Sequence, residues 1–351
     1  MVAKGLAQRL FGRKETRTSR PTGQPGTARQ RPKRGPSNGR LYVHVQTESN
    51  PAVPAAVPAH VMDILRRHSP DSYGMLRDAQ QRRLAEVLRT FNHFLEEAGR
   101  PNLRPELWLP SRLNVAVHES FHAYAHTFSP GDLALYLQPG STHCLRVTPC
   151  FPVRVIAPLI PEDVRCGDGG RYRTYVDSPH ESLSTQQQGF YGLLNEFGAY
   201  YHSARVALDL FEYYATRTNS DQEAWTTFIG EYVSVALARL EFKLFMGAYL
   251  RYARQHGPDV YRRITRDPAI RTALKEFEWR FRELTGRFRF SLTQIPARCK
   301  EQRLAVRDEG EWIMVDAGRS AVGCCTFSAY TRALERELKK PDNARAFMRL
   351  Y

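Results

Sequence analysis

The chain has 351 residues, 42% of them hydrophobic, which supports one or two globular domains and excludes global disorder. No uncharged apolar run approaches the 18 residues of a membrane-spanning helix, and six cysteines are too few for a disulfide-built scaffold. A total of 51 Lys and Arg against 36 Asp and Glu gives a net charge of +15. Free thiols fit a reducing compartment, so we expect a cytoplasmic location.

Most of the positive charge lies in residues 1–40, which contain eleven Lys or Arg and a single acid, Glu15. This segment is rich in Gly, Pro, Ser, Thr and Gln, which predicts a disordered basic tail, and it lacks the apolar core of a secretory signal. Its first residues are amphipathic and rich in Arg, as in an organellar transit peptide. The tail could also contact nucleic acid or an anionic surface, or it could act only as a solubilising extension.

Hydrophobic periodicity predicts an α+β chain that is mainly α, with a small sheet. The predicted strands are 41–47, 133–138, 151–157 and 311–316. The predicted helices are 75–98, 113–128, 184–214, 224–252, 268–284 and 329–339. A Gly-rich segment at 167–170 is expected to be a loop.

The sequence H-E-S-F-H at 118–122 is the motif with the clearest chemistry, and it falls within the predicted helix 113–128. Residues four apart share one face of a helix, so the imidazoles of His118 and His122 can bind one Zn²⁺. Glu119 lies about 100° around the helix, where it can accept a proton from a water molecule at the metal. The motif therefore predicts a metal centre with its own general base.

A catalytic zinc site needs a third protein ligand. A metzincin site would require Gly and His at positions that hold Ala125 and Phe128, so that arrangement is excluded. Glu196 is the best candidate, because a carboxylate in the middle of a hydrophobic helix is costly without a cation or strong donors. Small residues on the face of Glu196 should let another helix approach closely; they are Gly189, Gly192, Ala199 and Ser203.

Several alternatives to Glu196 stay open. An ion pair between Glu196 and an Arg would need no metal. His126 is on the same straight helix as the other two histidines, so the three cannot all converge on one tetrahedral ion. The remaining candidates for the third ligand are Asp132, His143, Glu181 and His202. A second metal site at His143, Cys144 and Cys150 is a further alternative, and Cys324 and Cys325 are expected to be buried thiols.

Together, H-E-S-F-H at 118–122 and N-E-F-G-A-Y at 195–200 resemble the gluzincin group of zincin metallopeptidases, whose pattern is H-E-x-x-H followed by N-E-x-x-A/S. The resemblance implies that His118, His122 and Glu196 bind zinc and that Glu119 is the general base. It covers only two short segments, and the 73 residues between His122 and Glu196 exceed the usual gap. Zincin mechanisms commonly use a Tyr or His to stabilise the oxyanion, and Tyr200 is the candidate here, although core packing is an alternative role.

The resemblance implies a zincin-like core over residues 41–215 and a mainly helical subdomain over 216–351, which would form the second wall of the cleft. The expected function is a zinc-dependent hydrolase, most simply a metallopeptidase acting on a peptide or protein. One alternative is a non-catalytic binding protein on a zincin fold. The other is a protein that binds nucleic acid or an acidic partner through residues 1–40.

Overall fold

The computed structural model describes residues 55–97, 103–128, 131–165, 171–299, 303–348 and 350. Over these residues the chain is mainly helical and carries two small antiparallel sheets, which confirms the predicted class in this coarse form. The predicted basic tail, the strand at 41–47 and the Gly-rich loop lie outside the described residues. None of the helices that the structure describes has both the length and the apolar character needed to cross a membrane.

The first half of the described chain contains helices, one hairpin and three short turns of helix. In chain order these are α1 (Ala59–His68), α2 (Pro70–Gln81), α3 (Ala85–Glu97), α4 (Pro105–Ala125), β1 (Asp132–Gln138), β2 (Ser141–Arg146), 3-10 helices at Val153–Leu159 and Glu162–Val164, a π-helical turn at Tyr172–Val176, α5 (Ser184–Gln188) and α6 (Phe190–Asp209).

The second half is helical apart from a three-stranded sheet. Its elements are α7 (Phe211–Arg217), α8 (Gln222–Ala236), α9 (Ala238–His256), α10 (Pro258–Arg266), α11 (Pro268–Arg298), β3 (Ala305–Asp308), β4 (Trp312–Asp316), β5 (Ala321–Cys325), α12 (Ser328–Lys339) and α13 (Pro341–Phe347). The sheet has the order β3-β4-β5, and both of its pairs are antiparallel. The prediction of a strand at 311–316 is confirmed as β4.

Several predicted helices are interrupted. The helix predicted at 75–98 is two helices, because Arg83 adopts the left-handed backbone conformation with φ 58° between α2 and α3. The helix predicted from 184 is broken in the same way at Gly189, which has φ 53° and separates α5 from α6. Apolar residues on both sides of each break face the same core. The hydrophobic period therefore runs on across the break and does not reveal that the helix ends there.

The strand predicted at 151–157 is wrong. Residues Val153–Leu159 form a 3-10 helix that contains Pro158 and therefore lacks one backbone donor. The partner of β1 is instead β2, which pairs Asp132 with Arg146 and Leu135 with His143. Gly140, with φ 78°, makes the tight turn that folds β2 back on β1.

Helix α6 is the central element of the core. It packs against α4, α8, α9 and α11, and 18 of its 20 residues are buried. A helix that is buried all round cannot present a polar face to water, so each polar side chain on it needs a partner inside the protein. Glu196, in the middle of α6, is therefore in a position where its carboxylate must be compensated.

Candidate metal centre

Helix α4 carries the H-E-S-F-H motif. Pro105 is at its first turn, and its buried side includes Leu113, Val117, Phe121 and Tyr124, which anchor the helix in the core. His118 and His122 follow on the same side, with ring centroids 4.8 Å apart. The two residues are 8% and 3% exposed, so water compensates neither imidazole fully.

Helix α6 brings Glu196 to these two histidines. The two Nε2 atoms lie 3.1 Å apart, and the Oε2 atom of Glu196 lies 3.4 Å from Nε2 of His122 and 3.8 Å from Nε2 of His118. One ligand atom from each of the three residues lies within 4.8 Å of the others, so the group could hold a metal ion. The residues that the sequence pattern placed in one site are thus brought together by two separate helices.

The spacing of the three ligand atoms fits a small tetrahedral ion. Zinc bonds to His nitrogen and carboxylate oxygen are about 2.0–2.2 Å long, which places two ligands of a tetrahedral ion roughly 3.3 Å apart. The observed separations are 3.1, 3.4 and 3.8 Å. Two imidazoles and one carboxylate form a donor set that suits zinc and also other transition metal ions, and three protein ligands leave a fourth position open.

Close approach of α4 and α6 depends on Gly198. A Cβ atom there would lie 2.6 Å from Cζ of Phe121 on α4 and 3.0 Å from Cζ of Phe277 on α11. Of the small residues singled out in the sequence, Ser203 also contacts α4, through Asn114 and His118. Gly192 instead admits the backbone of Ser184 in α5, so its smallness serves a different contact.

The protonation of the cluster follows from its burial and its charges. Burial lowers the pKa of His122, but the charge of Glu196 and a hydrogen bond to it outweigh that effect and raise the pKa to about 9. Burial raises the pKa of Glu119 to about 7, with His122 opposing and Glu196 adding to the shift. A carboxylate with a pKa near neutrality is suited to taking up and returning a proton.

Tyr200 lies beside the metal centre. Its ring centroid is 4.6 Å from that of His118 in an edge-to-face arrangement, and its hydroxyl is 3.1 Å from the hydroxyl of Tyr175. The guanidinium of Arg171 stacks over the Tyr200 ring at 4.2 Å, and Arg171 donates to the carboxylate of Glu241 at 2.5 Å. No sequence pattern marks Arg171 or Tyr175, since they lie at a short π-helical turn without a hydrophobic period.

The structure places the alternative third ligands elsewhere. His126 is exposed at the C-terminal end of α4, with Nε2 3.5 Å from the Asn195 amide nitrogen. Asp132 pairs with Arg146, His143 lies 3.8 Å from Glu276, and Glu181 pairs with Arg154. His202 is fully buried and donates from Nε2 to the carbonyl of Tyr136. Within the described ranges, none of the five belongs to a group that could hold a metal.

The cysteines show no second metal site in the part of the chain that is described. Cys144 is exposed on β2, whereas the Cys150 thiol is half-buried and donates to the carbonyl of Gln188. Cys324 and Cys325 are free thiols: Cys324 is buried as expected and donates to the carbonyl of Thr226, whereas Cys325 is only half-buried. These adjacent cysteines therefore pack as small side chains and do not form a disulfide.

Comparisons with known proteins found no matching protein family, no matching curated protein and no matching solved structure.

Proposed function

We propose that this protein is a zinc-dependent hydrolase, most simply a metallopeptidase. The observation that carries the proposal is the convergence of His118, His122 and Glu196, from two helices, on one buried point. The donor set, the open fourth position and a carboxylate next to a ligand in the sequence are the features of catalytic zinc sites. The resemblance to the gluzincin pattern supports peptide or protein as the substrate.

Zinc held by these three side chains would lower the pKa of a water molecule and polarise a substrate carbonyl. Glu119 takes the water proton on its carboxylate, which its position beside His118 and its raised pKa favour. The same carboxyl group then returns the proton to the leaving amine. Glu119 thus acts in both directions of proton transfer without binding the metal.

Tyr200 is the proposed stabiliser of negative charge on the substrate oxygen. Its ring lies against His118, and burial raises the pKa of its hydroxyl, so the group stays protonated and able to donate. The Tyr200 oxygen can accept the hydrogen of the Tyr175 hydroxyl, and the Tyr200 hydroxyl then donates its own hydrogen to the substrate oxygen. Tyr200→Phe should therefore lower kcat while leaving bound zinc unchanged.

Metal analysis of the purified protein tests the proposal. We expect about one zinc per chain in the wild type, loss of zinc in His122→Ala and in Glu196→Ala, and retention in His60→Ala, a matched change at an exposed histidine of α1. Asp132→Ala and His143→Ala should also retain zinc. A wild-type protein that is free of metal and refuses added Zn²⁺ would refute the enzyme proposal.

A further inference from the structure

Behind His118, on the side away from the other ligands, lies a chain of buried hydrogen bonds. Nδ1 of His118 is 3.2 Å from Oγ of Ser203, and the same Oγ is 3.3 Å from the backbone carbonyl oxygen of Asn114. Ser203 is 2% exposed and Asn114 is 4% exposed, so water does not compete for these contacts. The hydroxyl of Ser203 thus has two protein neighbours but only one hydrogen to donate.

The carbonyl of Asn114 favours one use of that hydrogen. A carbonyl oxygen can only accept, so both contacts are hydrogen bonds only when Ser203 donates to it. Oγ must then accept from the other neighbour, and Nδ1 of His118 must carry a proton. In a neutral imidazole with Nδ1–H, the lone pair is on Nε2, which is the atom that faces His122 and Glu196.

Asn114 is itself held by a buried carboxylate on α8. Its side-chain amide donates to Oε2 of Glu231 at 3.0 Å, and Ser111 donates to Oε1 of the same residue at 3.0 Å. Glu231 is 4% exposed. These contacts link α8, α4 and α6 around His118: Ser203 bonds to the backbone carbonyl of Asn114, and Glu231 holds the side-chain amide of the same residue.

We infer that Ser203 is a positioning residue that selects the metal-binding tautomer of His118, supported by Asn114 and Glu231. This inference rests on the proposed metal site and assigns it a buried support that the ligand pattern does not show. Partners of this kind fix the ring and the tautomer of metal-binding histidines, and their loss typically costs 10–100-fold in metal affinity.

The same contacts also permit the other neutral tautomer of His118. If His118 carried its proton on Nε2, it could donate to Nε2 of His122 at 3.1 Å, and the Ser203 hydroxyl could donate to Nδ1. That state leaves the Asn114 carbonyl without the Ser203 bond and places a proton where the metal must bind. Removing the Ser203 hydroxyl removes the preference for the binding-competent tautomer, so metal must then compete with the proton on Nε2.

The first test compares zinc affinities by chelator competition. Ser203→Ala should bind zinc about 10–100-fold more weakly than the wild type, whereas Ser203→Thr, which keeps a hydroxyl, should recover most of the loss. Ser120→Ala is the matched control, since Ser120 is a buried serine of α4 whose hydroxyl donates to the backbone carbonyl of Ala116. Equal affinities for the wild type and Ser203→Ala would overturn the inference.

The second test reads the tautomer directly in metal-free wild-type protein. The ¹⁵N shifts of the His118 ring, assigned by the signal that disappears in His118→Gln, should show Nδ1–H, and Ser203→Ala should move the population toward Nε2–H. A wild-type His118 with Nε2–H would overturn the inference even if Ser203→Ala failed to fold. A wild type that binds no zinc would instead refute the proposed function, so the two failures are distinguishable.

Discussion

His118, Glu119 and His122 divide two roles among neighbouring positions of one helix. The two imidazoles are four residues apart and meet at 3.1 Å, whereas Glu119 is offset around α4 and is half-buried. A carboxylate next to a ligand but not aligned with it can exchange protons near the metal without occupying a coordination position. The role of Glu119 can therefore be separated from metal binding by a single substitution.

Glu119→Gln should keep zinc near the wild-type level and lose nearly all hydrolysis, because an amide preserves shape but cannot accept the proton. Loss of a general base typically lowers the rate by about 10²–10⁴-fold. Zinc content and turnover of a peptide library should be measured together. Glu106→Gln, near the start of the same helix, is the control. Full activity in Glu119→Gln would show that another group takes the proton, and a zinc-bound wild type without turnover would favour the non-catalytic alternative.

The contact between α4 and α6 sets the distance between the two histidines and Glu196. Gly198 lets the helices approach, with the Phe121 and Phe277 rings filling the space beside it. A residue with a side chain there must displace buried rings, because the protein interior is close-packed. The separation of these two helices is thus coupled to the geometry of the metal centre.

Gly198→Ala should destabilise the protein by about 1–3 kcal/mol through overpacking and should weaken zinc binding, since α4 and α6 must move apart. Urea unfolding and zinc titration measure both effects. Gly286→Ala is the matched control on α11, where a Cβ meets nothing within 4 Å among described residues. There the better helix propensity of Ala should raise stability by up to about 1 kcal/mol. A stable Gly198→Ala with unchanged zinc affinity would contradict the coupling.

His202 connects α6 to β1 from inside the core. It is fully buried against the Phe121 ring, and Nε2 donates to the Tyr136 carbonyl at 2.8 Å. Burial lowers the pKa of His202 to about 4, while the Tyr136 carbonyl opposes this shift and the charges of Arg205 and Arg280 add to it. The folded state therefore holds this imidazole neutral over most of the acidic range.

The unfolded chain protonates this histidine near pH 6.5, whereas the folded chain does so only near pH 4. Between pH 4 and pH 6.5 the unfolded state binds more protons than the folded state. The contribution of His202 to the free energy of unfolding is therefore fully present above pH 6.5 and is lost as the pH falls through this range. His202→Gln should shrink the difference in unfolding free energy between pH 7.5 and pH 5.0 by about 2 kcal/mol. His60→Gln is the control, and an unchanged difference in His202→Gln would contradict the assignment.

Across the whole molecule, most of the net positive charge lies in a different part of the sequence from the proposed catalytic site. Residues 1–40 contain eleven of the basic residues, whereas the residues that make up the metal centre lie between 118 and 203. A polyanion would be attracted to the basic segment by charge alone, with little dependence on its sequence. The polyanion-binding alternative can thus be tested without disturbing the metal centre.

Deletion of residues 1–40 should leave zinc content and the unfolding midpoint unchanged, because their composition lacks the apolar content to join a core. If the segment binds nucleic acid, affinity for an oligonucleotide should fall steeply with salt in the full chain and vanish in the deletion. Charge-matched dextran sulfate distinguishes general polyanion binding from nucleic-acid binding. A large drop in the unfolding midpoint on deletion would show that the segment contributes to the fold.

The sequence by itself determined the parts of this protein that depend on local geometry. Two histidines four residues apart must share a face of any helix that contains them, so His118, His122 and the offset of Glu119 follow from spacing alone. The same holds for the strand at Trp312–Asp316, whose alternating period is local.

Only the tertiary structure decided what depends on distant contacts. Glu196 is 74 residues beyond His122, and no local pattern excludes Asp132, His143 or His202 as the ligand until α6 is placed against α4. The break at Arg83 and the pairing of β1 with β2 rest on backbone conformations that hydrophobic periods do not encode. The orientation of His118 by Ser203 is of the same kind, because a hydroxyl in an apolar helix gains a role only from the carbonyl and imidazole that the fold brings beside it.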